Sequence, residues 1–125
     1  MAVGRIIDNA SVMDMAEMDE NWGRILAHGE KFELGYKTIR DRFMFTNYRV
    51  ILIDVQGVTG SKVDYHSVPY RAITQFSLET AGTADLDGEL KFWVSSQADP
   101  YVRKLGRGVD LFVIQALLAG YIAHV

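Results

Sequence analysis

Asp41 to Gly82 reads DRFMFTNYRVILIDVQGVTGSKVDYHSVPYRAITQFSLETAG, and this stretch decides the fold. Phe43-Met44-Phe45 leads into Thr46-Asn47, and a nearly unbroken apolar run follows from Tyr48 to Val55. Asn tolerates positive φ and Thr-Asn can hydrogen-bond its own backbone, so Thr46-Asn47 is expected to form a tight hairpin turn. Periodicity alone lets Val50-Ile-Leu-Ile-Asp-Val55 be a buried helix. Its shortness, β-branched content and flanking turn signals favour a strand covered on both faces. Gln56-Gly57-Val58-Thr59-Gly60 places two glycines three apart, which suits a connection needing positive φ. Lys62, Asp64 and His66 then alternate with Val63, Tyr65 and Ser67, the period-2 mark of a half-buried strand. Pro69 closes that strand, because proline cannot donate to a ladder. Ile73 to Thr80 alternates again, with Phe76 and Leu78 to one side and Gln75, Ser77 and Glu79 to the other. Four strands joined by short turns predict an antiparallel meander.

Several short motifs stand in a fixed order through and beyond this stretch. They are Arg40-Asp41, Phe45-Thr46-Asn47, Arg49, Asp54-Val-Gln-Gly57, Thr59-Gly60, Lys62-Val63, Ser67-Val-Pro-Tyr70, Ile73, Glu79-Thr-Ala-Gly82, Asp85-Leu-Asp87 and Glu89-Leu90-Lys91. In that order they resemble the bacterial pleckstrin-homology (PH)-like domain family, long catalogued as a domain of unknown function, from about Met15 onward. The resemblance implies a mainly β (β+α) fold, a bent seven-stranded antiparallel barrel capped by a C-terminal helix. It also implies cyclic homo-oligomers, pentameric rings for single-domain members, with a polar surface displayed to other proteins.

At 125 residues and 49% hydrophobic, the chain suffices for one domain with one core. Residues 13–125 are expected to form it, with residues 1–12 as a flexible N-terminus. The absence of cysteine excludes a disulfide scaffold and a thiolate metal site, and fits a reducing cytoplasm. No signal-peptide h-region and no run of ~20 apolar residues is visible. A net charge of −3 argues against nucleic acid as a partner.

Ser11 with Asp14 three residues on reads as a weakened capping box. Met15, Met18, Trp22, Ile25 and Leu26 then share one helical face. Gly23 costs about 1 kcal/mol inside that helix, and His28-Gly29 signals its end. The helix therefore depends on docking, on its own barrel or a neighbouring subunit, with a Met-rich partner-binding surface as the alternative. Glu30 to Ile39 reads as a first strand and Leu86 to Ser95 as a later one, with Trp93 on its polar side. Trp93 is either a rim residue or an interface anchor. Ser96 to Gly108 reads as a loop carrying Arg103, Lys104 and Arg107.

Val109 to Ala123 is a final helix, apolar nearly all round, which should be buried on more than one side. The barrel is expected to cover Val109, Phe112, Val113, Ala116, Leu117 and Gly120. That leaves Leu111, Ile114, Leu118, Tyr121 and Ile122, and self-association is the simplest use for them. Leu111, Ile114, Leu118, Tyr121 and Trp93 are therefore the expected oligomer interface.

Chemistry finds little purchase. His28, His66 and His124 have no metal spacing between them. Asp64 and His66 share a strand face while Ser61 and Ser67 point the other way, so no Ser-His-Asp relay assembles locally. Glu79, Asp85, Asp87 and Glu89 do not follow an EF-hand loop, and no GxGxxG or phosphate loop is present. No enzyme, metal or cofactor is expected. Lys37, Arg40 and Arg42 resemble the basic pattern with which many eukaryotic PH domains bind phosphoinositides, and each could attract anionic lipid by ~1 kcal/mol, but Asp41 interrupts them, so local or cross-subunit ion pairing is the leading expectation, ahead of protein binding and of lipid headgroups.

The expected function is thus a cytoplasmic, non-enzymatic ring that offers a repeated hydrophilic surface to an unidentified protein partner, gaining avidity by repetition. Its candidate contacts are Arg40, Asp41, Lys62, Tyr65, Tyr70, Arg71, Glu79 and Asp87. The alternative is a peripheral membrane adaptor using Lys37, Arg40 and Arg42. A small-ligand carrier is disfavoured by the bulky inward residues Phe43, Phe45, Phe76, Leu90 and Phe92.

Overall fold

In the computed structural model, which describes residues 9–80 and 87–123, the chain runs β1 (Ser11–Val12), α1 (Met15–Trp22), β2 (Phe32–Lys37), β3 (Arg42–Thr46), β4 (Arg49–Gln56), β5 (Lys62–Pro69), β6 (Ile73–Thr80), β7 (Gly88–Val94), β8 (Tyr101–Leu105) and α2 (Leu111–Leu118). The strands form two antiparallel sheets, ordered β1-β2-β3-β4-β5 and β6-β7-β8. The expected mainly β fold with a C-terminal helix and an added N-terminal helix is present, with seven long strands and the two-residue β1 among the described residues.

The apolar run on β4 has the double coverage its composition demands. Val50 and Leu52 face the barrel interior with Phe43, Phe45, Leu90, Phe92 and Leu105. Ile51 and Ile53 face outward, with Met44 and Phe32, into a second core under α1. Met18 of α1 is buried there, with Met13. Gly35 makes the close approach possible, because a Cβ at that position would run into Met18 Sδ.

Local chemistry sets the turns. The hairpin between β3 and β4 turns on Asn47-Tyr48, one residue later than expected. Thr46 stays in the ladder, and its Oγ1 accepts hydrogen bonds from the amides of Tyr48 and Arg49, each 2.9 Å. Asn47 holds the preceding loop by accepting from the Lys31 amide and donating to the Gly29 carbonyl. The expected four-strand meander holds only to β5. After Pro69 a 3-10 turn at Tyr70–Ala72 redirects the chain, so β6 opens the second sheet instead of pairing with β5. Tyr70 anchors this corner by donating to the Thr46 carbonyl at 2.6 Å.

Other expectations need correction. Ser11 does not cap α1; it pairs with Lys37 across β1 and β2, and Asp14 is the cap, accepting from the Glu17 amide at 2.8 Å. The helix stops at Trp22, and Gly23 opens a 3-10 turn instead of lying inside it. Residues 10–12, expected to be flexible, are tied on both sides, because Ala10 also bridges to Leu105; residues 1–8 lie outside the described residues. The segment Ser96–Gly108, expected to be loop, contains β8. There Tyr101, Arg103 and Leu105 alternate inward, a pattern obscured in the sequence by Pro100 and the basic residues.

One buried ion pair fastens the loop before β2. The Glu30 carboxylate receives Arg49 Nε at 2.8 Å, the Ala27 amide at 2.8 Å and the Thr46 hydroxyl at 2.6 Å. Burial pushes this carboxyl up, but the bonds from Arg49, Ala27 and Thr46 outweigh it and hold it below its ordinary value.

Candidate interaction surface

The antiparallel order brings the β2–β3 turn (residues 38–41) and the β4–β5 turn (residues 57–61) to one end of the larger sheet. The Arg40 guanidinium ties them by donating to the Gly57 carbonyl. Asp41 braces the same end: its Oδ1 accepts from the Val55 amide at 3.0 Å, and its amide donates to Thr38 Oγ1 at 2.9 Å. Gly57 and Gly60 adopt φ of 82° and 72°, which the turn requires.

The basic trio does not converge on a shared pocket. Lys37 Nζ is 2.8 Å from the Glu17 carboxylate. Arg42 donates to the Thr38 and Asp41 carbonyls at 3.0 Å, and its guanidinium lies 5.9 Å from the Trp22 ring centre. A shallow depression of about 340 Å³ lies against Lys37 and Arg42, with Ser11 and Thr38 at its wall. Ile39 and Val58 project from the tips of the two turns, 70% and 102% exposed. Sequence reasoning passed over both; the signal was a lone aliphatic residue inside each otherwise polar or glycine-rich turn.

Of the other surface candidates, Lys62 and Tyr65 are exposed on β5, and Arg71, Glu79 and Asp87 are exposed elsewhere. Tyr70 is not available. Its ring is buried at the corner, stacked against Tyr121. Lys62 and Arg71 are separated by the length of β5, roughly 25 Å for eight residues, so the candidates are spread over the molecule. Asp87 accepts from Asn9 Nδ2 at 2.6 Å. Asp85, Leu86 and His124 lie outside the described residues.

His66 is exposed, as its strand position suggested, and Tyr101 of β8 reaches it across the sheets, with 2.9 Å between the hydroxyl and Nε2. Arg103 and Asp54 make a second contact across the same seam at 3.5 Å. Burial raises the Asp54 carboxyl, Arg103 opposes that rise, and the neighbouring Asp41 and Asp64 reinforce it. Ser67 lies on the opposite face of β5 from His66, so these groups form no nucleophilic relay. Among the described residues, no three His, Asp or Glu side chains gather as metal ligands.

Helix α2 reverses the face assignment made from the sequence. Ile114 and Leu118, expected at a subunit interface, are fully buried in the barrel core, and Leu111 is half-buried against it. Phe112 and Val113, expected inside, face outward at 79% and 43% exposure. The start of the helix sets this rotation. Asp110 caps it by accepting from the Phe112 amide at 3.0 Å, and Leu111 packs onto Gly88, where a Cβ would collide with it. A helix apolar all round leaves either phase open to a sequence reading. Tyr121 is partly exposed and donates to the Glu33 carboxylate. Trp93 is half-buried on β7. Among the described residues, no helix is long and apolar enough to cross a membrane.

The family model described as "Bacterial PH domain" matches residues 2–122. "Uncharacterized protein YjqA" of Bacillus subtilis (strain 168) is 44% identical over 115 residues, covering 91% of this chain and 92% of that protein. "Uncharacterized protein YozO" of the same strain is 31% identical over 98 residues, covering 78% and 83%. Among solved structures, a DUF1696 family protein with a pleckstrin-homology domain from Shewanella loihica PV-4 superposes with a TM-score of 0.81 at 52% identity, covering 90% of this chain and 97% of that one. A PH domain-containing protein from Exiguobacterium sibiricum 255-15 gives 0.70 at 28% identity, covering 93% of this chain and 61% of that longer one.

Proposed function

Given that the chain belongs to the bacterial PH domain family, we propose that it is a non-enzymatic module that closes with copies of itself into a ring, pentameric by the family resemblance, and presents a repeated hydrophilic surface to a protein partner. The observation that carries this reading is a pair of long sheet edges. Among the described residues, β5 and β6 each run eight residues with a partner strand on one side only. Such edges are adhesive, and natural proteins cover them. Two different edges on one subunit are suited to head-to-tail pairing, which closes into a ring when the rotation permits. The outward Phe112 and Val113 of α2 supply further apolar area for the same contact, replacing Ile114 and Leu118 in that role. Arg40, Lys62, Tyr65, Arg71, Glu79 and Asp87 stay on the outside and would be repeated around the ring, turning weak single contacts into avidity.

Light scattering tests the reading. A mass of several protomers at micromolar concentration is expected, and a monomer removes the ring. A proline at Gln75 on the β6 edge should reduce the mass if that edge is shared between copies. Pull-down with intact rings compared with monomeric variants then tests the partner surface.

A further inference from the structure

We propose that α1 is a redox latch: oxidation of the thioethers beneath it to sulfoxides releases the helix from the larger sheet, and reduction seats it again. This goes beyond the ring and does not depend on it. The chain has five methionines and no cysteine, so thioethers are its only sulfur. Their placement is uneven. Among the described residues, Met13, Met18 and Met44 all lie in the small core under α1, and the barrel core contains none. Met15 opens the helix and is 46% exposed. Gly35 brings the three buried thioethers together. It pairs with Met44 across β2 and β3, while Met18 Sδ and Met13 Cε crowd the space where its Cβ would stand.

The seat is dry and the helix is weak, so the effect is local. Met18 and Met44 are fully buried, and the other buried residues of their core are Met13, Phe32, Ile51 and Ile53. A sulfoxide oxygen set among these apolar side chains carries the penalty of an unpaired buried polar group. α1 spans eight residues, too few to persist in water on propensity alone, so docking holds it. Losing the dock frees the helix while β2, β3 and β4 keep their ladder. Release bares Ile51, Ile53 and Met44, so the latch controls whether that apolar face of the sheet is on view. A short docked helix opens locally, which gives an oxidant access to Met13 and Met18. Hydrogen peroxide balances the step. The thioether sulfur attacks one peroxide oxygen, the O–O bond breaks, and the departing hydroxide leaves as water once the proton has transferred. Sulfur thereby gives up two electrons to the peroxide. A dithiol reductant reverses it, becoming a disulfide as the sulfoxide oxygen leaves as water.

The test treats the full chain with hydrogen peroxide in a Trp93→Phe background, which leaves Trp22 as the reporter. Peptide mass spectrometry follows each methionine. Sulfoxide is expected at Met15 first and then at Met13 and Met18, and Trp22 emission should redden with the second event only. Methionine sulfoxide reductases A and B with dithiothreitol should restore the emission, and the far-ultraviolet circular dichroism should keep its strand signal throughout. Met15→Leu should leave the shift unchanged. Met13→Leu, Met18→Leu and Met44→Leu combined should abolish it while Met15 still oxidises. Met18→Leu alone, a nearly volume-conserving change, should at least halve it and serves if the triple variant does not fold. Urea midpoints establish that each variant is folded, and light scattering reads the ring separately, so the two proposals can fail independently. Oxidation confined to Met15, emission unchanged by sulfoxide at Met13 and Met18, loss of the strand signal together with the shift, or a shift that the reductases do not reverse would each overturn the latch.

Discussion

Tyr121 lies flat against Tyr70, their ring centres 4.8 Å apart and their planes 7° from parallel. The pair clamps the π-turn at Ala119–Ala123, which follows α2, to the corner where the chain passes between sheets. The second hold comes from a β-bulge. The register slips between Phe32 and Leu34, and the displaced Glu33 accepts the Tyr121 hydroxyl.

That bond has an alkaline signature. The Glu33 carboxylate, with a smaller push from burial, raises the Tyr121 phenol from 10.0 to about 12. A raised folded value means the stabilisation is complete below pH 10.0 and is lost as pH climbs toward about 12. Burial raises Tyr70 further still, so it contributes to the same loss. Tyr121→Phe should therefore lessen, without abolishing, the fall in thermal midpoint across this window. An unchanged fall would show that the clamp is not coupled to folding.

Glu30 has the opposite sign. Its folded value lies below 4.5, so its contribution is present above that pH and is lost as pH drops from 4.5 through the folded value. Glu30→Gln should flatten the urea-midpoint profile in that acid range. Glu30→Ala, which leaves Arg49 without its carboxylate, should cost about 3 kcal/mol at neutral pH. A loss no larger than for an ordinary surface substitution would make the pair incidental.

The two faces of α2 should separate assembly from folding. Leu118→Asp places an unpaired charge in the barrel core and should unfold the subunit, at a cost of several kcal/mol. Phe112→Glu should leave the circular dichroism and urea midpoint nearly unchanged while lowering the mass seen by light scattering. A full-size ring in Phe112→Glu would place the subunit contact elsewhere, with the β5 and β6 edges as the remaining site.

Gly35 is the seat of α1. Gly35→Val drives a side chain into Met18 and Met13 and should lift the helix. Trp22, packed beside that core, should redden in emission and become accessible to a quencher. Unchanged Trp22 emission would mean that the methionines yield without moving the backbone.

Much of the barrel was legible because strand chemistry is local. β5 and β6 were bounded by Pro69 and by alternation, and the doubly apolar β4 announced its coverage on both sides. The failures share one physical origin. Tyr70, Ile114 and Leu118 belong to a core that only distant contacts define, and a helix without a polar face carries no phase information. β8 was hidden because Arg103, placed on an inward position near Asp54, erases the apolar beat. The candidate surface fared worse. Arg40 and Asp41 turned out to be braces for backbone groups, and Ile39 and Val58 became conspicuous only once the two turns stood together.

Ala10 donates to the Lys104 carbonyl and accepts from the Gly106 amide, so an early residue closes a seam against one of the last strands. A nascent chain leaving the ribosome therefore cannot finish its barrel until nearly the whole sequence has emerged, and the seam settles late in folding. Until then both flanks of that seam, the segment before β1 and the free side of β8, stay unpaired.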